Sequence, residues 1–596
     1  MRAEQSRAEQ SRAEQSRAEQ SRAEQSRAEQ TGFPSIDKPW LKYYTAEALA
    51  KPPVKSTIFE RIYENNKSHS DDIAINYFGN KISYGTMFGQ IEKCKNAMIN
   101  YGVKQGDKVA LLMTSTPELV YVVLALCRIG ATADLISPLF SDKQIIDRVN
   151  ETDADIMFVL DSLYEKISDA TEKMCIKKYV IVEVTNGMSG VTKIMASMKL
   201  TKHIVYTSQI IKWKEFMLGQ QCGIEDCPYI PDYPCIMVYS SGSTGASKGI
   251  VLTNDGINAT ISHYTDTGFL HERGNTFLQM IPVWFSTGIV LSVLMPLCVG
   301  ITVILEPIFS GETFANDIRK YKPNMTLTAT SLWLYVLEDK KMKKADMSKF
   351  LYPITGGEQI LPETEKAINE FLKKHGCKAP LIKGYGMCEL GSTITTSSPV
   401  HSKLGSVGYP IKNVNVSAFS EKYEMVKYYE RGEICVSSPA HMKEYFKNTE
   451  STDNFFFEYA DGNRWGKTGD VGYIDEDGDV YILGRAADIF ISIKGNKIYN
   501  FDIEAVIREN RNIKDCEVVG FDKGKYEVPV AYLVIDNNYT GSKEELLIKL
   551  HEINKDKMDA EHVPAGYKFV KNFPVKNNGK RDMDAIKKDV DDIIWV

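Results

Sequence analysis

Segments with strand-like and helix-like patterns alternate along this chain from about residue 56, and this alternation strongly limits the possible folds. Residues 107–113 form an apolar, strand-like run, and residues 118–129 place apolar side chains at helical spacing. Residues 179–184 are again strand-like. Such alternation over hundreds of residues is typical of largely parallel sheets covered by helices. We therefore predict an α/β fold.

The pattern changes late in the chain, which indicates a second domain. After about residue 430 the strand-like runs shorten, and we predict that residues 432–436 and 478–483 are neighbouring antiparallel strands. A boundary near residues 485–488 leaves roughly 110 residues, enough for a small α+β domain. With 596 residues, 43% of them hydrophobic, the chain exceeds one ordinary domain and has ample core. We predict a large domain over residues 35–485 and a small one over 486–596.

The first 30 residues repeat the pentapeptide Arg-Ala-Glu-Gln-Ser up to Thr31. The repeat has no apolar face, so nothing in it can be buried against a core. Its residue types favour helix individually. We expect residues 1–31 to be disordered or weakly helical, as a solvated and functionally neutral extension; a role in association is the alternative.

Charge and cysteine content exclude some classes of protein. A net charge of −6 with mixed signs gives no overall preference for nucleic acid or membranes. We interpret the lysine-rich run at residues 340–344 as a solvated helix end or loop. Eleven cysteines without a framework are typical of reduced thiols in a cytosolic protein.

Residues 288–305 carry no charge, and a run of this length raises the question of a membrane span. Pro296 and Gly300 interrupt it, and the β-branched residues after Gly300 are typical of a buried strand. We predict a buried helix, a stop at the glycine and a core strand. Because no apolar N-terminal targeting segment is evident, we expect a cytoplasmic protein without a transmembrane segment.

The segment 239–254, YSSGSTGASKGIVLTN, carries the strongest chemical signal. An apolar run ends in six small residues drawn from Ser, Gly and Thr, and Lys248 follows. Glycine lets the backbone approach a ligand, hydroxyl groups donate hydrogen bonds, and the lysine adds positive charge, so the segment suits a polyphosphate. The order Ser247-Lys248-Gly249 does not match the Walker P-loop. A flexible Ser/Gly turn is the alternative for this loop taken alone.

This loop resembles the phosphate-binding signature of the AMP-forming adenylate enzymes, which comprise acyl-CoA synthetases, amino-acid adenylation domains and luciferases. Other motifs of that family appear here in its order, over roughly residues 35–590. They are residues 384–389 (GYGMCE), 467–470 (KTGD), 484–488 (GRAAD) and 574–580 (PVKNNGK). The resemblance implies a large N-terminal domain and a small, mobile C-terminal lid.

The resemblance also implies roles in binding ATP and Mg²⁺. The glycine-rich loop is expected to hold the β- and γ-phosphates, Lys248 to balance the charge of the leaving group, and Glu389 to bind Mg²⁺ bridging the phosphates. Asp470 is expected to accept hydrogen bonds from the ribose hydroxyls, with Arg485 at the ribose or a phosphate, and Tyr385 to stack on adenine beside the segment 356–358. The full set of ATP-binding residues implied is Ser240, Ser241, Gly242, Ser243, Thr244, Gly245, Gly356, Gly357, Glu358, Tyr385, Gly386, Asp470 and Arg485.

The catalytic lysine implied by the family is Lys580, near the C-terminus. In the family this lysine reaches the substrate carboxylate and the α-phosphate only when the lid is in its adenylating position. The lid then rotates, and its other face forms the tunnel for the thiol. Without the resemblance, a lysine in such a loop is ordinarily exposed and without function.

The chain departs from the family pattern at a few positions. Cys388 stands where threonine is usual, which replaces a good hydroxyl donor by a weaker thiol. The segment after the hinge is one residue longer than usual, so the hinge position falls at Ala487 or Asp488, and Ser492 stands where a lysine is common. These departures bear on thioester formation more than on adenylation.

The segment 282–288, PVWFSTG, resembles the family segment that opens the acyl pocket, where many CoA ligases have His in place of Phe285. Trp284, Phe285, Gly288 and Ile289 suggest an apolar slot for a hydrocarbon or aryl tail, with ordinary core packing as the alternative. Amino-acid adenylation domains usually place an Asp here to pair with the substrate ammonium. Its absence disfavours amino acids, because an unpaired buried ammonium is costly.

Taken together, the motifs predict an acyl-CoA synthetase that uses ATP, Mg²⁺ and CoA. A carboxylic acid, with a fatty or other apolar acid favoured, and ATP would give acyl-AMP and pyrophosphate, and CoA would then displace AMP. Two alternatives remain open: an enzyme that loads a carrier-protein phosphopantetheine, and an inactive nucleotide-binding protein. The expected partners are these small molecules and, in the first alternative, a carrier protein, but not nucleic acid.

Overall fold

The computed structural model describes residues 31–200, 204–219, 223–240, 247–267, 272–536, 538–574 and 581–596. The pentapeptide repeat, most of the phosphate loop (241–246) and the lysine loop up to Lys580 (575–580) lie outside the described residues. Within the described ranges, no helix is both long enough and apolar enough to cross a membrane.

The strands, numbered in chain order, are β1 Ile73–Tyr77, β2 Asn80–Ser83, β3 Lys108–Leu112, β4 Thr132–Leu135, β5 Ile156–Leu160, β6 Lys178–Val182, β7 Ile210–Lys212, β8 Pro234–Tyr239, β9 Gly249–Thr253, β10 Thr276–Gln279, β11 Thr302–Leu305, β12 Met325–Thr328, β13 Tyr352–Gly356, β14 Ile382–Tyr385, β15 Thr395–Thr396, β16 Tyr409–Pro410, β17 Asn415–Phe419, β18 Gly432–Ser437, β19 Glu444–Tyr445, β20 Phe456–Glu458, β21 Arg464–Ile474, β22 Val480–Arg485, β23 Ile489–Ile491, β24 Lys497–Tyr499, β25 Ile513–Asp522, β26 Glu527–Ile535, β27 Gly566–Phe569 and β28 Ile594–Trp595.

The α-helices of eight or more residues are α1 Ile58–Asn66, α2 Tyr84–Asn100, α3 Pro117–Ile129, α4 Asp142–Thr152, α5 Gly190–Leu200, α6 Asn254–Asp266, α7 Gly311–Tyr321, α8 Thr330–Glu338, α9 Pro362–Lys374, α10 Asn500–Arg508 and α11 Lys543–Lys557. Shorter helical segments are Pro34–Asp37, Pro39–Tyr43, Ala46–Ala50, Lys67–His69, Asp161–Tyr164, Ser168–Lys173, Trp213–Phe216, Met295–Cys298, Lys340–Lys344, Cys388–Leu390, Thr449–Phe455 and Met583–Lys588, and Thr287–Leu294 is a π-helix.

Two large sheets form most of the N-terminal part. One has nine strands in the order β16-β15-β14-β13-β12-β10-β11-β1-β2, and the other has eight in the order β19-β9-β8-β4-β3-β5-β6-β7. Six neighbouring strands of each sheet run parallel, with antiparallel strands at the margins. Side chains of both sheets and of α2 and α3 belong to one hydrophobic core. The α/β architecture with largely parallel, helix-covered sheets is thus confirmed.

Helix α3 shows how the local sequence defines an element. The Thr116 hydroxyl accepts a hydrogen bond from the backbone N–H of Leu119 at 3.3 Å, and Pro117 occupies the first helical position, where no donor is lost. Gly130 ends the helix with φ 75°, a left-handed conformation that glycine adopts without strain. The helix predicted over residues 118–129 is confirmed, as are the strands predicted over 107–113 and 179–184, observed as β3 and β6.

The uncharged segment 288–305 also folds as predicted. The π-helix and the short helix Met295–Cys298 are buried, Gly300 follows with φ 77°, and β11 continues as a core strand between β10 and β1. The segment therefore lies inside the protein.

A third sheet has five antiparallel strands, β17, β18, β20, β21 and β22. Its strand order shows that one prediction, the pairing of residues 432–436 with 478–483, is wrong. The runs at 432–436 and 478–483 do form β18 and β22, but they are not neighbours. The eleven-residue strand β21 lies between them and pairs antiparallel with both. Glycines and charged residues in β21 interrupt the apolar alternation by which a strand is recognised.

The C-terminal part is a small α+β unit. Strands β25 to β28 form one sheet, β23 and β24 form a hairpin, and α10 and α11 pack with them around a separate core. Arg431 in the N-terminal part forms an ion pair with Asp502 at 2.7 Å, and Lys497 forms one with Glu421 at 2.7 Å. The domain boundary near residues 485–488 stays a prediction.

Candidate active site

Two of the predicted motifs lie at the same edge of the nine-stranded sheet. Strands β13 and β14 are adjacent and parallel, with Gly356 opposite Gly384, so the segments that follow them emerge side by side. A Cβ atom at Gly356 would approach the Gly384 carbonyl oxygen to 2.8 Å, which explains the need for glycine there. In open α/β sheets, ligands bind at the carboxyl ends of the strands. This edge is therefore the candidate nucleotide site.

Glu358 has a structural contact at this edge. Its carboxylate accepts hydrogen bonds from the backbone N–H and the hydroxyl of Ser331, at 2.8 and 3.0 Å. Ser331 lies in the first turn of α8, where a negative charge is favourable. Glu358 thus ties the segment after β13 to the start of α8. Its predicted place on the adenine side stays a prediction.

Three distant motifs meet at Asp470. The Tyr385 hydroxyl donates a hydrogen bond to Asp470 Oδ2 at 2.6 Å, and Arg485 Nε lies 3.1 Å from Asp470 Oδ1. The pairing of β21 with β22 places Asp470 directly opposite Arg485. Burial, followed by the charge of Asp470, raises the pKa of Tyr385 well above its usual value. Tyr385 is therefore a neutral donor at neutral pH, held by the residue predicted to bind ribose.

The loop around Asp470 is fixed by backbone contacts. Gly469 has φ 70°, and its N–H donates to Glu433 Oε1 at 3.0 Å. The Thr468 hydroxyl accepts from the N–H of Asp470 at 3.1 Å, and Arg485 Nη1 donates to the Thr468 carbonyl at 3.2 Å. These contacts fix the backbone that carries Asp470, the residue predicted to bind ribose.

A second cluster joins Lys248 and Glu389 through Tyr445. Glu389 is buried and accepts a hydrogen bond from the Tyr445 hydroxyl at 2.9 Å. Lys248 Nζ lies 4.9 Å from the centre of the Tyr445 ring, within cation–π range. Burial, followed by the charge of Glu389, raises the pKa of Tyr445. The predicted metal ligand and the predicted phosphate-binding lysine therefore contact one aromatic side chain.

Tyr445 was missed by reasoning from the sequence. It lies in the two-residue strand β19, which pairs with β9 and places Tyr445 opposite Ile250. The contact joins segments almost two hundred residues apart, and nothing local around Tyr445 indicates it. Only the pairing of β19 with β9 shows that Tyr445 lies beside Lys248 and Glu389.

The phosphate loop is described at its two ends. Ser240 N–H donates to the Lys248 carbonyl at 3.0 Å, and Lys248 N–H donates to Ser240 Oγ at 3.0 Å. These reciprocal bonds close the base of the loop between β8 and β9. Ser241, Gly242, Ser243, Thr244 and Gly245 lie outside the described residues, so their predicted contacts with phosphate stay predictions.

Lys580 also lies outside the described residues, but the flanks of its loop are described. Asp582 N–H donates to the Pro574 carbonyl at 2.9 Å, so the chain enters and leaves this loop at one place. Arg581 follows the loop and pairs with Asp515 and Glu517 on β25. The loop is thus anchored to the C-terminal unit.

The predicted acyl-pocket residues lie beyond the end of β10. Trp284 is buried and packs edge-to-face on Phe309 with ring centres 5.7 Å apart, and Phe285 is partly buried beside it. Gly288 has no space for a side chain against the backbone of Pro282, and Ile289 is buried. Such burial is equally expected of ordinary core packing, so the apolar slot stays a prediction.

Polar atoms are also buried in this region. Among the described residues, Trp284 Nε1, Ser286 Oγ and Gln279 Oε1 have no hydrogen-bond partner. Unpartnered buried polar atoms are costly, and a ligand is one way to satisfy them. The sequence does not single out Gln279, because an isolated polar residue beside an apolar run carries no specific signal, whereas Ser286 lies within the quoted segment 282–288.

The chain is similar in sequence to known enzymes. Residues 62–446 match the family of AMP-binding enzymes, and residues 502–580 match the C-terminal domain of AMP-binding enzymes. The long-chain-fatty-acid–CoA ligase of Bacillus subtilis (strain 168) is 25% identical over 555 residues, which cover 91% of this chain and 96% of the relative. The 4-coumarate–CoA ligase CCL1 of Humulus lupulus is 25% identical over 512 residues, which cover 84% and 88%.

A solved structure shows the same fold. The crystal structure of the anthranilate CoA ligase AuaEII in complex with anthranoyl-AMP matches this chain with a TM-score of 0.76 at 19% identity, over 91% of this chain and 98% of that one. The chain therefore belongs to the AMP-binding enzyme family, whose members form adenylates, as the resemblance of its motifs predicted.

Proposed function

We propose that the protein is an AMP-forming acid–CoA ligase acting on an apolar carboxylic acid. The observation that best supports this is the convergence of the Tyr385–Asp470–Arg485 cluster from three motifs at the carboxyl edge of the sheet. The relatives named as CoA ligases of a long-chain fatty acid and of 4-coumarate support the use of CoA and of an apolar acid.

In the first half-reaction, a carboxylate oxygen attacks the α-phosphorus of ATP and pyrophosphate leaves. The carboxylate is already nucleophilic, so the protein chiefly aligns anions and balances charge. Asp470 holds the ribose, Tyr385 keeps Asp470 in place and faces the adenine, and Lys248 balances charge on the leaving phosphates. Lys580 contacts the substrate carboxylate and the α-phosphate.

The residues present suit Mg²⁺ bound together with the nucleotide. Mg²⁺ commonly takes one or two protein carboxylates together with substrate phosphates, and Glu389 offers a buried carboxylate oriented by Tyr445. Across the described residues, no group of three or more His, Cys, Asp or Glu side chains is arranged to hold a metal alone. When bound, the ion supplies charge neutralisation at the phosphates.

In the second half-reaction, the CoA thiolate attacks the carbonyl carbon of acyl-AMP, and AMP leaves. We propose that the C-terminal unit acts as a lid that rotates between the two steps. The ion pairs Arg431–Asp502 and Lys497–Glu421 are largely exposed, and such pairs contribute about 1 kcal/mol or less each. They are therefore weak enough to break during the rotation.

The test is AMP release from Mg-ATP with a panel of fatty, aryl and amino acids, with and without CoA. AMP release that needs an apolar acid and is stimulated by CoA, together with formation of the acyl-CoA product, supports the proposal. Acyl-AMP formation without stimulation by CoA, but with transfer to a holo-carrier protein, would replace it with a carrier-loading enzyme. ATP binding by the wild-type protein without turnover of any acid on the panel would favour an inactive nucleotide-binding protein.

A further inference from the structure

Helix α8 exposes large apolar side chains on one face. Trp333 and Val336 are buried in the core, whereas Leu334 and Tyr335 are 42% and 41% exposed. Ser331 and Glu338 lie on the same face at the three- and four-residue spacing of a helix. The N-terminal turn of this helix is the one bonded to Glu358, so the helix starts at the nucleotide site.

The exposed face of α8 continues onto the wall of the candidate acyl pocket. Phe309 packs on Trp284, and its neighbour Ile308 is 60% exposed. A Cβ atom at Gly311 would lie 2.7 Å from Tyr335 Cδ2, so the segment after β11 contacts α8 directly. We call Ile308, Leu334 and Tyr335 the apolar patch.

A basic run follows α8 after a single residue, Asp339. In the 3₁₀-helix Lys340–Lys344, Met342 is buried and anchors the segment, while the four lysines are exposed. His375 Nε2 lies 3.3 Å from the Lys343 carbonyl oxygen, which brings the C-terminal end of α9 against this run. The exposed lysines that we call the basic run are Lys340, Lys341, Lys343, Lys344, Lys373 and Lys374.

The charge of the basic run is only partly offset by the exposed carboxylate of Glu338, the last residue of α8. In the part of the chain that the structure describes, none of these lysines forms an ion pair, and two other neighbouring carboxylates pair elsewhere: Asp339 with Arg319 at 3.2 Å and Asp346 with Lys322 at 2.9 Å. The whole chain has a net charge of −6, so the positive charge is a local feature.

We propose that the apolar patch and the basic run form a docking surface for an anionic phospholipid bilayer. Lysines are attracted to the negative surface of such a bilayer, and aliphatic and aromatic side chains beside them enter the headgroup region. The surface borders Phe309 and Trp284, so docking places the wall of the acyl pocket against the bilayer, where apolar acids dissolve. This last point rests on the proposed function, whereas binding to the bilayer does not.

A bilayer fits these observations better than an acidic protein partner. Ile308, Leu334 and Tyr335 project from a helix and a loop with large exposed fractions. Insertion into a fluid interface requires protruding apolar side chains and positive charge but no shaped recess.

Co-sedimentation with vesicles of phosphatidylcholine alone, or mixed with phosphatidylglycerol, tests the proposal on the full chain. We expect sedimentation with the anionic vesicles only, weakened by salt. Replacing Lys340, Lys341, Lys343 and Lys344 by Gln should weaken binding at least about tenfold, since each lysine contributes several-fold. Leu334→Ser should weaken binding about threefold or more, through loss of apolar area.

The matched control replaces four exposed lysines of the C-terminal unit by Gln, with the same change in net charge: Lys514, Lys549, Lys555 and Lys571. This control should bind like the wild type, and thermal melts should show that every variant is folded. Equal binding by both four-lysine variants, or no sedimentation of the wild type, would overturn the proposal. The proposal would also be overturned if the protein did not bind vesicles but bound an acidic holo-carrier protein, and if that binding required the basic run.

Failure of the docking surface and failure of the proposed function are distinguishable. AMP formation with a short, water-soluble acid should be the same in the basic-run variant and the wild type. Vesicle binding without any CoA-dependent turnover would leave the docking surface intact and refute the ligase.

Discussion

Removing the hydroxyl of Tyr445 should lower both stability and activity, an expectation that follows from the tertiary structure alone. Tyr445→Phe removes the hydrogen bond to buried Glu389 Oε1 at 2.9 Å but keeps the ring that faces Lys248. A hydrogen bond to a charged group is worth about 1.5–3 kcal/mol. We expect the free energy of unfolding to fall by roughly that amount.

The same change should weaken catalysis, because Glu389 is our candidate Mg²⁺ ligand and loses the donor that orients it. About 1.4 kcal/mol of lost transition-state stabilisation is tenfold in rate, so we expect kcat/KM for Mg-ATP to fall about tenfold or more. The concentration of Mg²⁺ needed for half-maximal activity should rise as well. Urea unfolding and AMP formation titrated with MgCl₂ measure the two effects.

Tyr84→Phe is the matched control. The Tyr84 hydroxyl is also buried, but it donates to a neutral acceptor, the Leu297 carbonyl at 3.1 Å. This variant should lose about 1 kcal/mol of stability and keep the wild-type dependence on Mg²⁺. If Tyr445→Phe behaved in the same way, Tyr445 would be a packing residue and the reasoning about Glu389 would be refuted.

Three further predictions concern other groups. Asp470→Asn keeps the shape but removes the charge that pairs with Arg485, so the KM for ATP should rise about tenfold or more in initial-rate assays, and an unchanged KM would exclude a role in nucleotide binding. Lys580→Ala should slow acyl-AMP formation about a hundredfold or more yet still convert synthetic acyl-AMP and CoA to acyl-CoA; equal losses in both half-reactions would contradict its role. Burial raises the pKa of Glu118 in the folded protein from 4.5 to about 7, so folding favours the protonated carboxyl group. The stabilising contribution of the protonated group is therefore complete below pH 4.5, and it is lost as the pH rises through 7. Glu118→Gln cannot titrate at this position, so its free energy of unfolding minus that of the wild type should rise by up to about 3 kcal/mol between pH 4.5 and 7. A difference that does not depend on pH would contradict the burial argument.

The strands and helices that could be predicted are those with strong local patterns. Residues 116–130 combine a capping threonine, a proline at the first helical position, apolar spacing and a terminal glycine, and the helix Pro117–Ile129 is observed there. The sequence does not predict strand β21, because its glycines and charged residues interrupt the apolar alternation of a strand. The prediction that β18 and β22 are neighbours is therefore wrong, since β21 separates them.

The residues of the candidate site likewise fall into those that local sequence indicates and those that only the fold brings together. Asp470, Tyr385 and Glu389 are visible in the sequence because each lies in a short glycine-containing motif. Tyr445 and Gln279 have no such setting, and they reach the site through strand pairing or burial.

The sequence by itself determined the family, the order of the motifs and the α/β class, because these depend on residue type and spacing along the chain. The tertiary structure alone decided that Asp470 faces Arg485 and Tyr385, and that Tyr445 joins Glu389 to Lys248. It also placed exposed lysines directly after α8, the helix that exposes Leu334 and Tyr335. Contacts of this kind depend on sheet register and on which faces are buried, and both are set by packing among segments far apart in the chain.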